Sequence, residues 1–338
     1  MDRDLHIHGR SHRHRFEGPF FRSLMLGGIK HIPPAVKRLT MPLWAGIFYT
    51  LLPKARAAVE RNLEQVLGPT TVYQSKRRSF ELFRNYAQML SDTYSVHLDV
   101  PLDIDVVSIG RDNVVAAVQK QCGVLAVTGH LGMWQVSPFL AEWRGLPMFY
   151  QAMAQEPNPL VQAFEQRFRE RFRIIYTTES PLSVLRLAQV LREGAVLGLQ
   201  MDRYLGGQNL ALPFCGKTAW FPTGPVVLAR ATGAPIVPSF FIVEPGTADR
   251  VRVVHYLEPA IEVEHTRDRA ADVALAMAKM VKVYENFVRR YPTQWYHFYD
   301  FFAPPSPERE GDSGSPPDAD GIKKTAEAVE PGPQRWRT

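Results

Sequence analysis

The sequence is poor in cysteine and lacks a hydrophobic run long enough to cross a bilayer. Its 338 residues include only two cysteines, Cys122 and Cys215, too few for a disulfide framework or a cysteine zinc site, so both are expected to be small core residues. The most apolar N-terminal run, Met41 to Leu52, is about 12 residues long, whereas a spanning helix needs about 20. The polar, His-rich N-terminus argues against a cleavable signal peptide and against export.

Four familiar catalytic signatures are also missing. There is no Gly-x-Ser-x-Gly elbow, no Gly-rich phosphate loop ending in Lys and Ser or Thr, no His-Glu-x-x-His pair and no dinucleotide-binding fingerprint. These absences argue against a serine hydrolase, a P-loop NTPase, a zincin and a nicotinamide dehydrogenase. We therefore expect neither a metal ion nor a bound cofactor.

The composition is that of a folded protein whose charge is unevenly distributed. Hydrophobic residues make up 45%, charged residues 22%, and the net charge is +6. Residues 1–62 carry 11 Arg or Lys but only 4 Asp or Glu, which predicts an anionic partner, either lipid headgroups or nucleic acid. Because no nucleic-acid reading motif accompanies the charge, we favour a membrane surface and expect no nucleic acid.

Four regions are predicted along the chain. Residues 1–18 form a flexible basic leader, and residues 304–338, which contain seven prolines, form a disordered tail. Residues 19–100 form helices in which aromatic and aliphatic residues alternate with Lys and Arg, a pattern typical of helices that lie in a membrane interface. A helical subdomain packed on the core would show the same pattern. The predicted helix breaks are Pro33, Pro34, Pro42 and Pro53.

Residues 101–303 are predicted to form an α/β domain in which strands alternate with helices from Gly123 onward. The expected strands are 124–127, 147–150, 174–176, 195–201, 236–243 and 251–256. The expected helices are one with Leu160, Phe164, Phe168 and Phe172 on one face, and others over Ser180 to Leu191, Pro222 to Thr232 and Asp268 to Arg290. This alternation predicts a mostly parallel central sheet flanked by helices, with ligands beyond the carboxyl ends of its strands.

His130 is the first candidate for chemistry, because it follows the first of these strands. It lies in the run Thr128-Gly-His-Leu-Gly-Met-Trp-Gln135. A lone histidine after a strand is either structural or catalytic. The flanking Gly129 and Gly132 favour catalysis, since glycine lets a backbone or a substrate approach closely.

From this motif outward, the chain resembles the lysophospholipid acyltransferase superfamily over about residues 20 to 303. Within that superfamily it is most similar to the bacterial lipid A late acyltransferases and their glycolipid-acylating relatives. Five blocks carry the resemblance in the family's order. They are Arg61-Asn-Leu, Gly129-His-Leu-Gly-Met-Trp-Gln, Asn158-Pro-Leu with Arg169 eleven residues later, Gly198-Leu-Gln-Met-Asp, and Pro213-Phe-Cys-Gly-Lys-Thr-Ala-Trp-Phe-Pro-Thr-Gly-Pro.

The resemblance implies direct acyl transfer from a thioester of acyl carrier protein or coenzyme A to a lipid acceptor. His130 would be the general base, and the family's acid five residues later would orient it. Here Gln135 replaces that acid. Gln135 can accept the imidazole hydrogen bond without supplying charge, another carboxylate such as Asp202 or Glu142 can substitute, or activity can be lost. We favour a working enzyme that acylates a hydroxyl; an amine acceptor and an inactive scaffold that binds lipid or acyl carrier are the alternatives.

The remaining candidate residues are assigned to substrate binding. Arg203, Lys217 and the helix start at Thr223 and Gly224 would bind a phosphate of the carrier or the acceptor headgroup. Asn158 and Arg169 would bind substrate by family resemblance. The candidates for the wall of an acyl-chain pocket are Trp134, Phe139, Phe149, Met153 and Phe214. The expected location is the cytoplasmic face of the bacterial inner membrane.

Overall fold

The computed structural model describes residues 26–98, 100–135, 145–153, 159–170, 172–177, 182–203, 208–245 and 250–304. After a helical segment at residues 26–31 come three helices: α1 (Pro34–Leu51), α2 (Pro53–Leu67) and α3 (Val72–His97). The predicted leader and most of the predicted tail lie outside the described residues. None of the helices formed by the described residues is both long and apolar enough to cross a membrane.

Pro42 lies inside α1 rather than at a break, so that prediction is wrong. A proline inside a helix removes one hydrogen bond and crowds the preceding turn. The helix continues because the turns beyond Pro42 are packed against α3. There the ring of Tyr49 makes edge contacts with Phe80 and Phe83.

The α/β region contains nine strands, five further helices and a 3-10 turn among the described residues. In chain order they are β1 (Asp103–Ile109), α4 (Arg111–Val118), β2 (Val124–Thr128), β3 (Phe149–Met153), α5 (Pro159–Phe168), β4 (Phe172–Tyr176), α6 (Ser183–Arg192), β5 (Val196–Gln200), β6 (Asn209–Phe214), β7 (Lys217–Pro222), α7 (Gly224–Thr232), β8 (Ile236–Glu244), β9 (Arg250–Leu257), α8 (Arg269–Arg290) and the turn Pro292–Gln294.

Seven of the strands form one sheet in the order β1-β9-β8-β2-β5-β3-β4. Five consecutive strands of this order run parallel to one another, namely β8, β2, β5, β3 and β4. Strand β9 runs antiparallel to β8. Strands β6 and β7 form a separate antiparallel hairpin. The expectation of a mostly parallel sheet flanked by helices is therefore confirmed.

Buried residues cover both faces of the sheet, as the alternation of β2 shows. Leu125 and Val127 belong to a core formed with α6, α7 and α8, while Val124 and Ala126 belong to a second core formed with α2, α3 and α4. Successive side chains of a strand point to opposite faces. A strand that is apolar at every position must therefore be covered on both sides.

Several sequence predictions are corrected by the structure. Phe172 begins β4 instead of continuing a helix, because α5 ends at Phe168. Helix α6 begins at Ser183 after Leu182, and the predicted cap, Ser180, lies outside the described residues. Strand β1, helix α4 and the β6–β7 hairpin were not expected. Cys215 is buried as predicted, whereas Cys122 is only partly buried.

The segment that follows β2 is held from both sides. The backbone N–H of Gly132 donates to the carbonyl of Gln294 at 2.9 Å, and that of Met133 donates to the carbonyl of Phe241 in β8 at 2.7 Å. The backbone N–H of Tyr296 donates to the carbonyl of His130 at 2.9 Å. His130 therefore lies on a fixed backbone between β8 and the C-terminal segment.

Gly132→Ala is expected to destabilise the protein more than the control Gly233→Ala. Both glycines have a positive φ, 65° and 77°, so each variant carries the cost of a left-handed alanine, roughly 1–2 kcal/mol. A Cβ at Gly132 would lie 1.9 Å from the carbonyl oxygen of Phe241, whereas a Cβ at Gly233 meets nothing within 4 Å. Displacing that backbone adds roughly 1–3 kcal/mol. Urea unfolding measures both losses, and equal losses would contradict the expectation.

Candidate active site

His130 and Asp202 occupy equivalent positions after two neighbouring strands. Thr128 of β2 pairs in parallel register with Gln200 of β5, and each functional residue lies two positions further along its chain. Nδ1 of His130 is 2.7 Å from Oδ1 of Asp202. The backbone N–H of His130 donates to Oδ2 of the same carboxylate at 2.5 Å. The register of the sheet therefore brings the imidazole and the carboxylate together.

Two further side chains donate to the Asp202 carboxylate from the C-terminal part of the chain. Nε2 of His297 lies 2.9 Å from Oδ2, and the hydroxyl of Tyr284 in α8 also donates to Oδ2. The Asp202 side chain is completely buried. Burial alone raises the pKa of a carboxyl, but the electrostatic and hydrogen-bond interactions with His130 and His297 hold the pKa of Asp202 well below its usual range. Asp202 is therefore an ionised, buried acceptor.

The hydrogen bonds determine which nitrogen of His130 carries the proton. An ionised carboxylate can only accept hydrogen bonds, so Nδ1 of His130 donates and Nε2 holds the lone pair. None of the described residues is hydrogen-bonded to Nε2. Nε2 is also not one of the fully buried side-chain atoms that have no hydrogen-bond partner. The ring is thus in the tautomer that a general base requires, and its basic nitrogen makes no hydrogen bond with the described residues.

The electrostatic surroundings keep the His130 ring neutral. Burial, followed by the charge of Arg203, lowers the pKa of His130 to about 3, although the Asp202 carboxylate acts in the opposite direction. Burial also lowers the pKa of His297. At neutral pH both imidazoles are therefore uncharged, and the Asp202 carboxylate carries the negative charge.

Sequence reasoning missed three residues of this network: His297, Tyr284 and Asn62. The Asn62 side chain donates to the carbonyls of His297 and Tyr299 at 3.1 and 2.8 Å, and accepts from the backbone N–H of Phe301 at 3.1 Å. The block Arg61-Asn-Leu was noted only as a family resemblance. The run Trp295-Tyr-His-Phe-Tyr gave a signal that was not used, since a histidine among four aromatic side chains is expected to be buried.

Side-chain nitrogens and oxygens of His130, Asp202 and His297 lie within 4.8 Å of one another, close enough for a metal site. Their mutual hydrogen bonds account for this closeness. Each imidazole donates to the carboxylate through the nitrogen that faces it, and a nitrogen that carries a proton has no lone pair for a metal ion.

Three sequence candidates are close to His130 or Asp202 along the chain, and one of them, Trp134, contacts the His130 ring. The ring of Trp134 meets the His130 ring edge-on, with 4.8 Å between their centroids. Arg203 follows Asp202 directly, and its guanidinium donates to the carbonyl of Tyr296 at 3.5 Å. Gln135 is partly buried and makes no hydrogen bond with any described residue. The hydrogen bond that Gln135 could have accepted from the imidazole is accepted by Asp202 instead.

The other binding candidates are spread over the structure. Thr223 is buried and bonded to the carbonyl of Gln208, and Gly224 begins α7. Lys217 is exposed at the start of β7, where its ammonium group lies over the ring of Phe302. Arg169 is exposed in the turn after α5. Asn158, Phe139 and Glu142 lie outside the described residues.

The acyl-pocket candidates divide into core residues and residues at the carboxyl edge. Phe149 is buried against Phe172. Phe214 is fully buried and stacks on Tyr284, on the core side of the Asp202 network. Met153 is partly buried at the carboxyl end of β3. With Trp134, Met153 remains the candidate whose position best suits a pocket at this edge.

Fold and site together define an α/β protein with an oriented imidazole base at the carboxyl edge of a parallel sheet. The model of the bacterial lipid A biosynthesis acyltransferase family matches residues 11–302. The chain therefore belongs to this family of lipid acyltransferases.

Among solved structures, the chain is similar to the 1-acyl-sn-glycerophosphate (LPA) acyltransferase PlsC from Thermotoga maritima. The two share 13% identity with a TM-score of 0.37, over 78% of this chain and 100% of the other. A similarity this distant says nothing about the function of the chain. No curated protein matches the sequence.

Proposed function

We propose that this lipid acyltransferase moves a fatty acyl group from a thioester of acyl carrier protein or coenzyme A to a hydroxyl of a lipid or glycolipid. The observation that supports the proposal most directly is the hydrogen bond between Nδ1 of His130 and Asp202. It leaves the lone pair of Nε2 available at the edge of the sheet where ligands of α/β proteins collect.

The proposed reaction uses His130 first as a base and then as an acid. Nε2 takes the proton of the acceptor hydroxyl while the oxygen attacks the thioester carbonyl. The carbon–sulfur bond breaks as the ester forms, and the leaving thiolate takes the proton from the imidazolium. The products are the acylated lipid and a free thiol, without an acyl-enzyme. An amine acceptor would react by the same steps.

Asp202 has the role that the family pattern assigns to the residue at position 135. A carboxylate on Nδ1 fixes the tautomer and stabilises the imidazolium that forms during the reaction. Gln135 could supply orientation but not charge. Because a charged partner is in place at 2.7 Å, the neutral residue at position 135 is a weak reason to favour an inactive scaffold.

Anion binding is proposed for Arg203 and for the N-terminus of α7. Arg203 is close enough to His130 and His297 to lower the pKa of both rings. Gly224 begins α7, and no side chain caps that terminus. Pro225 has no N–H, so the backbone N–H groups of Gly224 and Val226 are those that suit a phosphate. The carrier's pantetheine arm and a lipid headgroup both present one. Lys217 is placed elsewhere, on the ring of Phe302.

Attachment to the cytoplasmic face of the inner membrane is proposed through α1. Large apolar side chains of this helix are exposed in one stripe that covers an arc of about 140° at 3.6 residues per turn. Its members are Val36, Leu39, Leu43, Trp44, Ile47 and Leu51. Lys30 and Lys54 are exposed beyond the two ends of α1. An apolar stripe flanked by cations matches an anionic bilayer surface.

The first test follows thiol release from acyl thioesters in the presence of a bacterial lipid extract. His130→Ala is expected to lower the rate by about 10²- to 10⁴-fold, because the base is lost. Asp202→Asn is expected to lower it by up to about 10⁴-fold, because the tautomer and the charge are lost. Gln135→Glu should change it by less than roughly threefold, since the Nδ1 proton is already bound by Asp202.

His255→Gln is the control, because His255 is as deeply buried but is bonded to Ser239. A His130→Ala rate equal to the wild type would overturn the base assignment. A large gain in Gln135→Glu over a nearly inactive parent would support the scaffold alternative. Mass spectrometry of the extract, which would show one added acyl chain on one lipid class, separates acyl transfer from hydrolysis and identifies the acceptor.

Leu43→Glu is expected to weaken binding to vesicles that contain phosphatidylglycerol, because it places a charge within the apolar stripe of α1. Leu275→Glu is the control: Leu43 is 66% exposed and Leu275 in α8 is 48% exposed, but Leu275 lies outside α1. Vesicle co-sedimentation measures both. Equal binding by the two variants would argue against α1 as the membrane-binding surface.

A further inference from the structure

The second histidine of the network, His297, is held on both sides. Its Nε2 donates to Oδ2 of Asp202 at 2.9 Å, and its Nδ1 lies 3.0 Å from the hydroxyl of Tyr299. Since Nε2 carries the proton, Nδ1 of the neutral ring accepts from Tyr299. Asn62 fixes the backbone carbonyls of both residues. The ring of His297 therefore has one tautomer and one orientation.

The two oxygens of Asp202 differ in their surroundings. Oδ2 accepts from the backbone N–H of His130, from Tyr284 and from His297, whereas Oδ1 accepts from the imidazole of His130. Rotating the carboxylate would separate three donors from the oxygen that they hold. The donors on Oδ2 thus determine that Oδ1 faces the imidazole.

We propose that His297 is a positioning residue for the acyl-transfer step: its Nε2–H holds Asp202 so that the carboxylate fixes the tautomer and direction of His130. The proposal rests on the function proposed above. His297 is fully buried, and its ring lies 5.8 Å from that of His130, centroid to centroid. It therefore acts on the reaction through Asp202 and not by touching substrate.

The charge balance around His130 and His297 predicts a change in the pH profile that a residue with only a structural role would not cause. The titratable or charged groups facing it are Asp202, Tyr284, Tyr299 and Arg203. Loss of the His297 donor leaves the Asp202 charge less compensated, so the carboxylate attracts the Nδ1 proton of His130 more strongly. The imidazolium is then favoured, the pKa of His130 rises, and the acid limb of kcat/KM moves to higher pH.

The experiment compares two amide variants, His297→Gln and His297→Asn. The glutamine amide nitrogen reaches the position of Nε2, whereas the asparagine amide is near that of Nδ1 and falls short of Asp202. His297→Asn is expected to lower kcat by roughly 10- to 100-fold, the rate equivalent of one hydrogen bond to a charged group. KM should stay within about threefold, because no substrate contact is lost. His297→Gln should restore most of kcat and the wild-type acid limb.

The matched controls are His255→Gln and His255→Asn. His255 in β9 is as deeply buried as His297, but Nε2 of its ring is paired with the hydroxyl of Ser239 at 2.8 Å. These variants measure what a buried imidazole contributes to stability alone. Equal kcat for His297→Gln and His297→Asn, or an unshifted acid limb in His297→Asn, would overturn the proposal.

Nitrogen NMR of the wild-type protein labelled with ¹⁵N-histidine tests the positioning without activity. We expect the proton on Nδ1 of His130 and on Nε2 of His297, and a spectrum with His297 protonated on Nδ1 would overturn the proposal even if a variant fails to fold. If no thioester is consumed but the tautomers are as expected, the proposed function fails, and only the hydrogen-bonded arrangement of His297, Asp202 and His130 stands. If thioester is consumed but the tautomers are reversed, only the positioning fails.

Discussion

The buried negative charge of Asp202 is the interaction on which the rest of the site depends. An ionised carboxylate without exposed surface is stable only where hydrogen-bond donors surround it. The donors come from the turn after β2, from α8 and from the segment after α8. A change that displaces any of these segments also changes the direction of the His130 imidazole. Folding and the orientation of His130 therefore depend on the same hydrogen bonds.

This requirement also explains the glycine that precedes His130. A Cβ at Gly129 would lie 2.5 Å from the ring of Tyr284, whose hydroxyl donates to Asp202 and accepts from the indole N–H of Trp295 at 2.9 Å. From sequence, Gly129 was interpreted as room for a backbone or a substrate. In the structure a side chain of the protein fills that room, so the glycine is required by the Asp202 network.

The proximity of His130 and Asp202 could be predicted from the sequence, but the two donors from the C-terminal part of the chain could not. His130 and Asp202 each follow a short apolar strand, and parallel strands end at one edge of a sheet, so their proximity follows from the pattern. Tyr284 and His297 are 82 and 95 residues from Asp202. One lies on a helix and the other in an aromatic run, and neither pattern specifies which ring meets the carboxylate. The packing of α8 against the sheet decides it.

Position 135 shows that the spacing of a sequence motif does not by itself identify the charged partner of His130. The motif assigns the partner of His130 to a residue five positions away, whereas the structure supplies one that is 72 residues away. Nδ1 has a single proton, which Asp202 binds, so the imidazole requires no carboxylate at position 135. A neutral glutamine at position 135 is therefore compatible with a His130 imidazole that Asp202 orients.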